Sequence, residues 1–121
     1  MERRDVGQSG EDAAVGHLVA QGWRIVDRNW RCPAGEVDVI ALTPEPDPVL
    51  VFCEVKCRRG LGYGDPLEAI TYAKRVKLRQ LALTWLGEQE RRVPRVRIDA
   101  IGVLLRSGRT PLITHLQGIG T

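Results

Sequence analysis

Apolar positions recur along this chain first at helical spacing and then at strand spacing. Ala14, Val15 and Leu18 share one helical stripe, a face suited to packing on a sheet, and Glu11 falls at its N-terminal end. Ser9, followed three residues later by Asp12, predicts a helix start of the capping-box kind. Gly22 predicts the stop, after Gln21. Trp23 to Trp30, Glu36 to Leu42 and Val49 to Cys57 read as strands joined by Pro33-Ala34-Gly35 and by the Pro-rich stretch Thr43 to Pro48. Connections this short make the three strands an antiparallel meander. A loop from Arg58 to Pro66, with Gly60, Gly62 and Gly64, leads to a second helix expected over Leu67 to Leu86. Its apolar residues cover two stripes: Ile70, Ala73, Leu81 and Trp85, then Ala69, Val76 and Leu83. Arg95 to Leu105 is a fourth strand and Leu112 to Leu116 a short fifth. The long helix serves as a crossover, so strand four can run parallel to strand three. The predicted class is α/β: an αβββαβ order, a mixed central sheet flanked by helices, and a terminal strand on one edge.

A length of 121 residues suits one compact domain, taken here as 1–121, and is too short for two. No apolar run reaches the roughly 18 residues a spanning helix needs. The N-terminal Met1 to Asp5 lacks the apolar core of a secretory signal, so a cytoplasmic location is expected. Cys32, Cys53 and Cys57 are too few for a disulfide framework. Cys53 and Cys57, four apart on one strand, would hold their α-carbons about 13 Å apart, beyond bridging distance. Ordinary reduced thiols are expected. The net charge of +3, mostly arginine, fits phosphate binding without requiring it.

Charged residues on the predicted strands carry the chemistry. Glu54 and Lys56 stand two apart, about 6.6 Å along one face, at the end of an apolar strand. Charges there cost free energy unless something pairs them. Asp38 alternates with Val37 and Val39 and is expected to point opposite to both, in register with Glu36 and Ile40. Two readings follow. In one, Asp38 and Glu54 offer carboxylate oxygens to Mg²⁺ or Mn²⁺, with the Val55 carbonyl as a third ligand, because such hard cations take oxygen donors and keep several waters. Lys56 then orients the attacking water or offsets charge on the phosphorane oxygens, and Glu11 completes a second metal site or holds a water. In the other, Lys56 bridges Asp38 and Glu54 as a structural ion-pair cluster with no metal.

Neighbouring residues have paired readings too. Lys74, Lys77, Arg75 and Arg79 form either a phosphate track or a solvated helix face, with Lys74 the one favoured for a role. Arg58 and Arg59, just beyond Lys56, are phosphate candidates by location. Tyr63 either stacks on an unpaired base or covers the sheet edge. Asn29 and Trp30 are expected to fix the corner between strands one and two. Asp99 either supports the site or pairs with an arginine, and His17 and His115 are read as incidental.

The order of these residues resembles the restriction-endonuclease-like, or PD-(D/E)xK, nuclease superfamily, whose αβββαβ core carries a Glu, an Asp and a Glu-x-Lys signature. More closely, the chain is similar to the uncharacterised bacterial YraN-type family within it. The matching stretches include Gly10-Glu11-Asp12-Ala13-Ala14, Arg28-Asn29-Trp30-Arg31, Gly35 to Ile40, Val51 to Arg58, Tyr63-Gly64-Asp65-Pro66, Lys74 and Arg97-Ile98-Asp99. The superfamily's Pro-Asp is Val37-Asp38 here. The resemblance implies metal-dependent phosphodiester cleavage with Asp38, Glu54 and Lys56 in the catalytic positions and Glu11 as the helix acid. Archaeal Holliday-junction resolvases share that core, which makes branched DNA a candidate substrate by analogy. The implied partner is nucleic acid, DNA ahead of RNA, and a second copy or another protein could assist so small a surface. The alternative from another class is a non-catalytic nucleic-acid-binding or adaptor domain, or a nuclease subunit that needs a partner.

Overall fold

The computed structural model describes residues 3–60, 67, 70–91 and 95–120, with side chains from residue 7 onward. Its elements are α1 (Arg3–Ala20), β1 (Arg24–Cys32), β2 (Gly35–Leu42), β3 (Leu50–Arg59), α2 (Tyr72–Gly87), β4 (Val96–Arg106) and β5 (Arg109–Leu116). The five strands form one sheet in the order β1-β2-β3-β4-β5. β1, β2 and β3 pair antiparallel, β3 and β4 parallel, and β4 and β5 antiparallel. The fold is therefore mixed α/β with the meander, the crossover and the terminal edge strand that the sequence predicts.

The sheet is apolar on both faces. On one, Ala14 and Leu18 of α1 pack over Val39, Ala41, Val51, Cys53, Ile101 and Val103. On the other, Leu78, Leu81, Ala82 and Trp85 of α2 cover Val37, Ile40, Leu50, Phe52 and Ile98, and the Phe52 and Trp85 rings meet edge-on at 5.6 Å. Alternation along β3 thus sends Val51, Cys53 and Val55 toward α1, and Leu50 and Phe52 toward α2. All three cysteines are free. Among the described residues no helix is long and apolar enough to cross a membrane.

Both helix starts differ from the expected positions. Ser9 lies inside α1 rather than at its cap, and Asp12 accepts from Gln8 and Arg28 instead of closing a capping box. Gly10 in mid-helix has a packing reason, since a Cβ there would stand 2.5 Å from the Cys57 side chain. The stop is as expected: Gly22 takes φ +87°, Gly22 N–H donates to Val19 O and Trp23 N–H to Leu18 O, the paired bonds of a Schellman ending. α2 begins at Tyr72, five residues later than predicted, because the Thr71 hydroxyl caps it by accepting from the Lys74 N–H at 3.2 Å. Its buried face is Leu78, Leu81, Ala82 and Trp85, so of the predicted stripes only Leu81 and Trp85 are buried, Ala73 is exposed and Leu83 is 69% exposed.

The corner between β1 and β2 is at Pro33-Ala34, within the predicted connection, but Asn29 and Trp30 lie inside β1 and do not fix it. Trp30 instead packs in the α2-side core, opposite Val37. The alternation predicted through Asp38 also breaks: Val37 faces α2 whereas Val39 faces α1.

Candidate active site

That break is what builds the site. The β2–β3 ladder runs from Leu42↔Leu50 to Val39↔Cys53 and then ends. The next inward-facing amide, Val55 N–H, donates to Asp38 Oδ2 at 2.8 Å, so a side-chain oxygen replaces the missing rung. In an antiparallel pair the N–H and C=O of one residue address the same neighbour. The Val55 carbonyl is therefore also turned toward β2. Where the two strands part, a cleft of about 830 Å³ opens, lined among others by Glu11, Asn29, Asp38, Val55, Lys56 and Arg58.

Glu54 and Lys56 share the α2-side face of β3, as their spacing predicts. Lys56 Nζ lies 3.1 Å from Glu54 Oε1, and Lys74 Nζ, from the first turn of α2, approaches the same oxygen at 3.5 Å. Two ammonium groups thus share one carboxylate. Burial works against the charged Lys56, but the Glu54 carboxylate it contacts and the nearby Asp38 favour the charged form, and its pKa is raised. Lys74 is pushed down, by Lys56 first and then by burial.

Asp38 shows the opposite stress. Burial first, then the charge of Glu54, drives its carboxyl up to about 7, against the lowering effect of the Val55 N–H. Glu36 and Glu11 add to the rise. A carboxylate surrounded by other carboxylates is the condition a divalent cation relieves. Among the described residues no three His, Cys, Asp or Glu side chains stand together as a ready cage. The donors at hand are two carboxylates and one backbone oxygen, all hard, which suits a cation that retains most of its water.

Glu11 enters from the α1 side, 8% exposed. Its Oε1 accepts from Arg28 Nε at 3.0 Å and from Asn29 Nδ2 at 2.9 Å. Asn29 takes φ 54°, the left-handed conformation that asparagine tolerates better than most residues. This role for Arg28 and Asn29 escapes sequence reading, because it depends on a strand irregularity between Ile25 and Asp27.

Of the outer candidates, Arg58 and Arg59 line the cleft mouth, while Tyr63 lies outside the described residues. Lys74 sits on Glu54 rather than in a track with Lys77 and Arg79. Asp99, itself fully buried, belongs to a separate network, accepting from Arg97 at 2.8 and 2.9 Å, from His115 at 2.8 Å and from Gly118 N–H at 3.0 Å. His115 is therefore a structural partner and not incidental, and His17 meets it edge-on at 6.2 Å.

The uncharacterised protein family UPF0102 matches residues 10–103, a span that contains Glu11, Asp38, Glu54, Lys56 and Lys74. A UPF0102 protein of Mycobacterium tuberculosis is 52% identical over 99% of this chain and 95% of its own length. One from Mycobacterium avium is 51% identical over 99% and 93%, and one from an Arthrobacter species 45% over 99% and 100%. With similarity of this depth running through every element of the fold, the chain belongs to the UPF0102 family.

Proposed function

We propose that this protein is a metal-dependent nuclease of the restriction-endonuclease-like class, hydrolysing DNA phosphodiester bonds. The observation that carries the reading is Asp38, a carboxylate raised to about 7, set at the point where β2 and β3 part and beside Glu54. Asp38, Glu54 and the Val55 carbonyl would hold Mg²⁺ or Mn²⁺. When bound, the cation offsets their mutual repulsion, polarises a phosphoryl oxygen and lowers the pKa of a water. Lys56, charged and 3.1 Å from Glu54, stands ready to orient the nucleophile or to offset charge growing on the phosphorus oxygens. Lys74 on the same carboxylate fixes the Glu54 rotamer and keeps Lys56 from neutralising it alone. Glu11, held by Arg28 and Asn29, lines the same cleft and is placed to orient a water.

The test is cleavage of a labelled panel of single-stranded, duplex, flapped and four-way DNA, and of RNA, with Mg²⁺, Mn²⁺ or EDTA. Cutting that needs metal and disappears in Glu54→Gln supports the reading. Binding without turnover under every condition returns the protein to the adaptor alternative or to a subunit awaiting a partner.

A further inference from the structure

Asp38, Glu54 and Lys56 account for chemistry but not for how a polyanion is held against net repulsion from three nearby carboxylates. β3 and β4 are parallel, so both end at one edge of the sheet, and β5 begins there after the Ser107-Gly108 turn. Arg58 and Arg59 close β3, Arg106 closes β4, and Arg109 opens β5 opposite Arg106. With strands about 4.8 Å apart, these four positions fall within about 10 Å across the edge. Arg59, Arg106 and Arg109 line a groove of about 310 Å³ together with Ser9 and Ser107. Arg59 also lines the Asp38 cleft, so the two spaces adjoin.

Three arginines elsewhere in the fold, Arg28, Arg31 and Arg97, pair with carboxylates. None of the four at this edge has an ion-pair partner among the described residues. Arg106 is nonetheless fixed, since its Nε and Nη2 donate to Thr110 O at 3.2 and 2.6 Å, which leaves three of its five N–H donors for a ligand. The chain carries +3, and without these four cations the remainder carries −1.

We infer that this arginine groove grips the sugar–phosphate backbone of DNA and feeds it to the cleft lined by Asp38 and Lys56, an inference that rests on the nuclease reading. An anionic lipid surface would meet the same charge. DNA is favoured because the groove runs through Arg59 into the cleft rather than onto an open face. Arg59 lies five residues beyond Glu54, about 16 Å along β3, which is the rise of about five nucleotides of B-form DNA.

The experiment is fluorescence anisotropy of labelled duplex DNA and RNA in EDTA, which separates binding from turnover, across a salt series. Arg59→Ala/Arg106→Ala/Arg109→Ala is compared with Arg24→Ala/Arg79→Ala/Arg91→Ala, which removes equal charge from elsewhere. Arg59→Ala/Arg109→Ala is included because it keeps the Arg106 bond to Thr110 and so leaves the hairpin intact. Affinity should fall at least about tenfold in the triple variant, and the slope of log affinity on log salt should drop by about 2.7, or 0.9 per contact, and by about 1.8 in the double. The charge-matched control should change the slope by less than one contact's worth. Equal losses in the groove and control variants, no DNA binding by the wild type, or preference for phosphatidylserine vesicles or RNA over DNA each overturns the inference. Slope loss confined to the groove variants, with no cleavage by the wild type on any substrate, upholds the grip and removes the nuclease reading.

Discussion

Replacing Asp38 by Asn should make the protein more stable, and increasingly so as pH rises. The Asn amide oxygen can still accept the Val55 N–H, so the rung at the end of the β2–β3 ladder survives. What disappears is a carboxylate whose pKa rises on folding from 3.8 to about 7. Between those values the folded wild type holds a proton that the unfolded chain has released, so its stability declines as pH rises through that window. Above the window the full difference is present. Asn has no such titration. The stability advantage of Asp38→Asn should therefore grow by about 2–3 kcal/mol between pH 5 and pH 8. Taking the change with pH cancels any fixed effect of the substitution. Urea unfolding in EDTA at both pH values measures it, and the variant should show no metal-dependent cleavage. An advantage that is flat or shrinking between the two pH values would refute the burial and Glu54 repulsion assigned to Asp38.

Lys56→Ala should abolish cleavage while changing unfolding free energy by no more than about 1 kcal/mol, because Lys74 remains to pair with Glu54; a cutting Lys56→Ala protein would exclude its catalytic role. Asp99→Asn should cost about 3–5 kcal/mol in chemical denaturation, since it strands Arg97 and His115. Burial raises the Asp99 pKa, but hydrogen bonds from His115, Arg97 and Gly118 outweigh it and hold it below 3.8. Its contribution should therefore persist at neutral pH and be lost only as pH falls below 3.8 toward the folded value, visible as a shift of the wild-type acid transition in Asp99→Asn. Gly10→Ala should destabilise by about 1–3 kcal/mol through collision with Cys57, read as a lower urea midpoint with an unchanged slope.

The strands were legible because buried strands announce themselves twice, by β-branched runs and by the Pro and Gly residues that interrupt them. The Glu54–Lys56 face followed from a period of two that β3 obeys throughout its length. Helix starts were less legible. Ser9 is a good cap by residue type, yet α1 continues through it because Asp12 has a better partner in Arg28, sixteen residues away. Thr71 carries only a weak cap signal, because Lys74, not Glu, stands three residues on. The stalled alternation at Asp38 was hidden for the same reason as the Asp99 network: each depends on a partner supplied by a distant strand or tail. Arg106 and Arg109 carry no local signal beyond flanking a Ser-Gly turn, and only the parallel pairing of β3 with β4 brings them to the mouth of the cleft.

The side-chain rung at the end of the β2–β3 ladder also turns one backbone amide into a spectroscopic probe. Most amides in the middle of a sheet donate to carbonyls that never change charge. Val55 N–H donates to an acceptor that titrates at about 7. Its proton and nitrogen resonances should move with a midpoint near that pH, while Cys53, paired to the backbone of Val39, stays still. The charge state of the buried carboxylate can thus be followed from the main chain, with no label introduced and no substrate in hand.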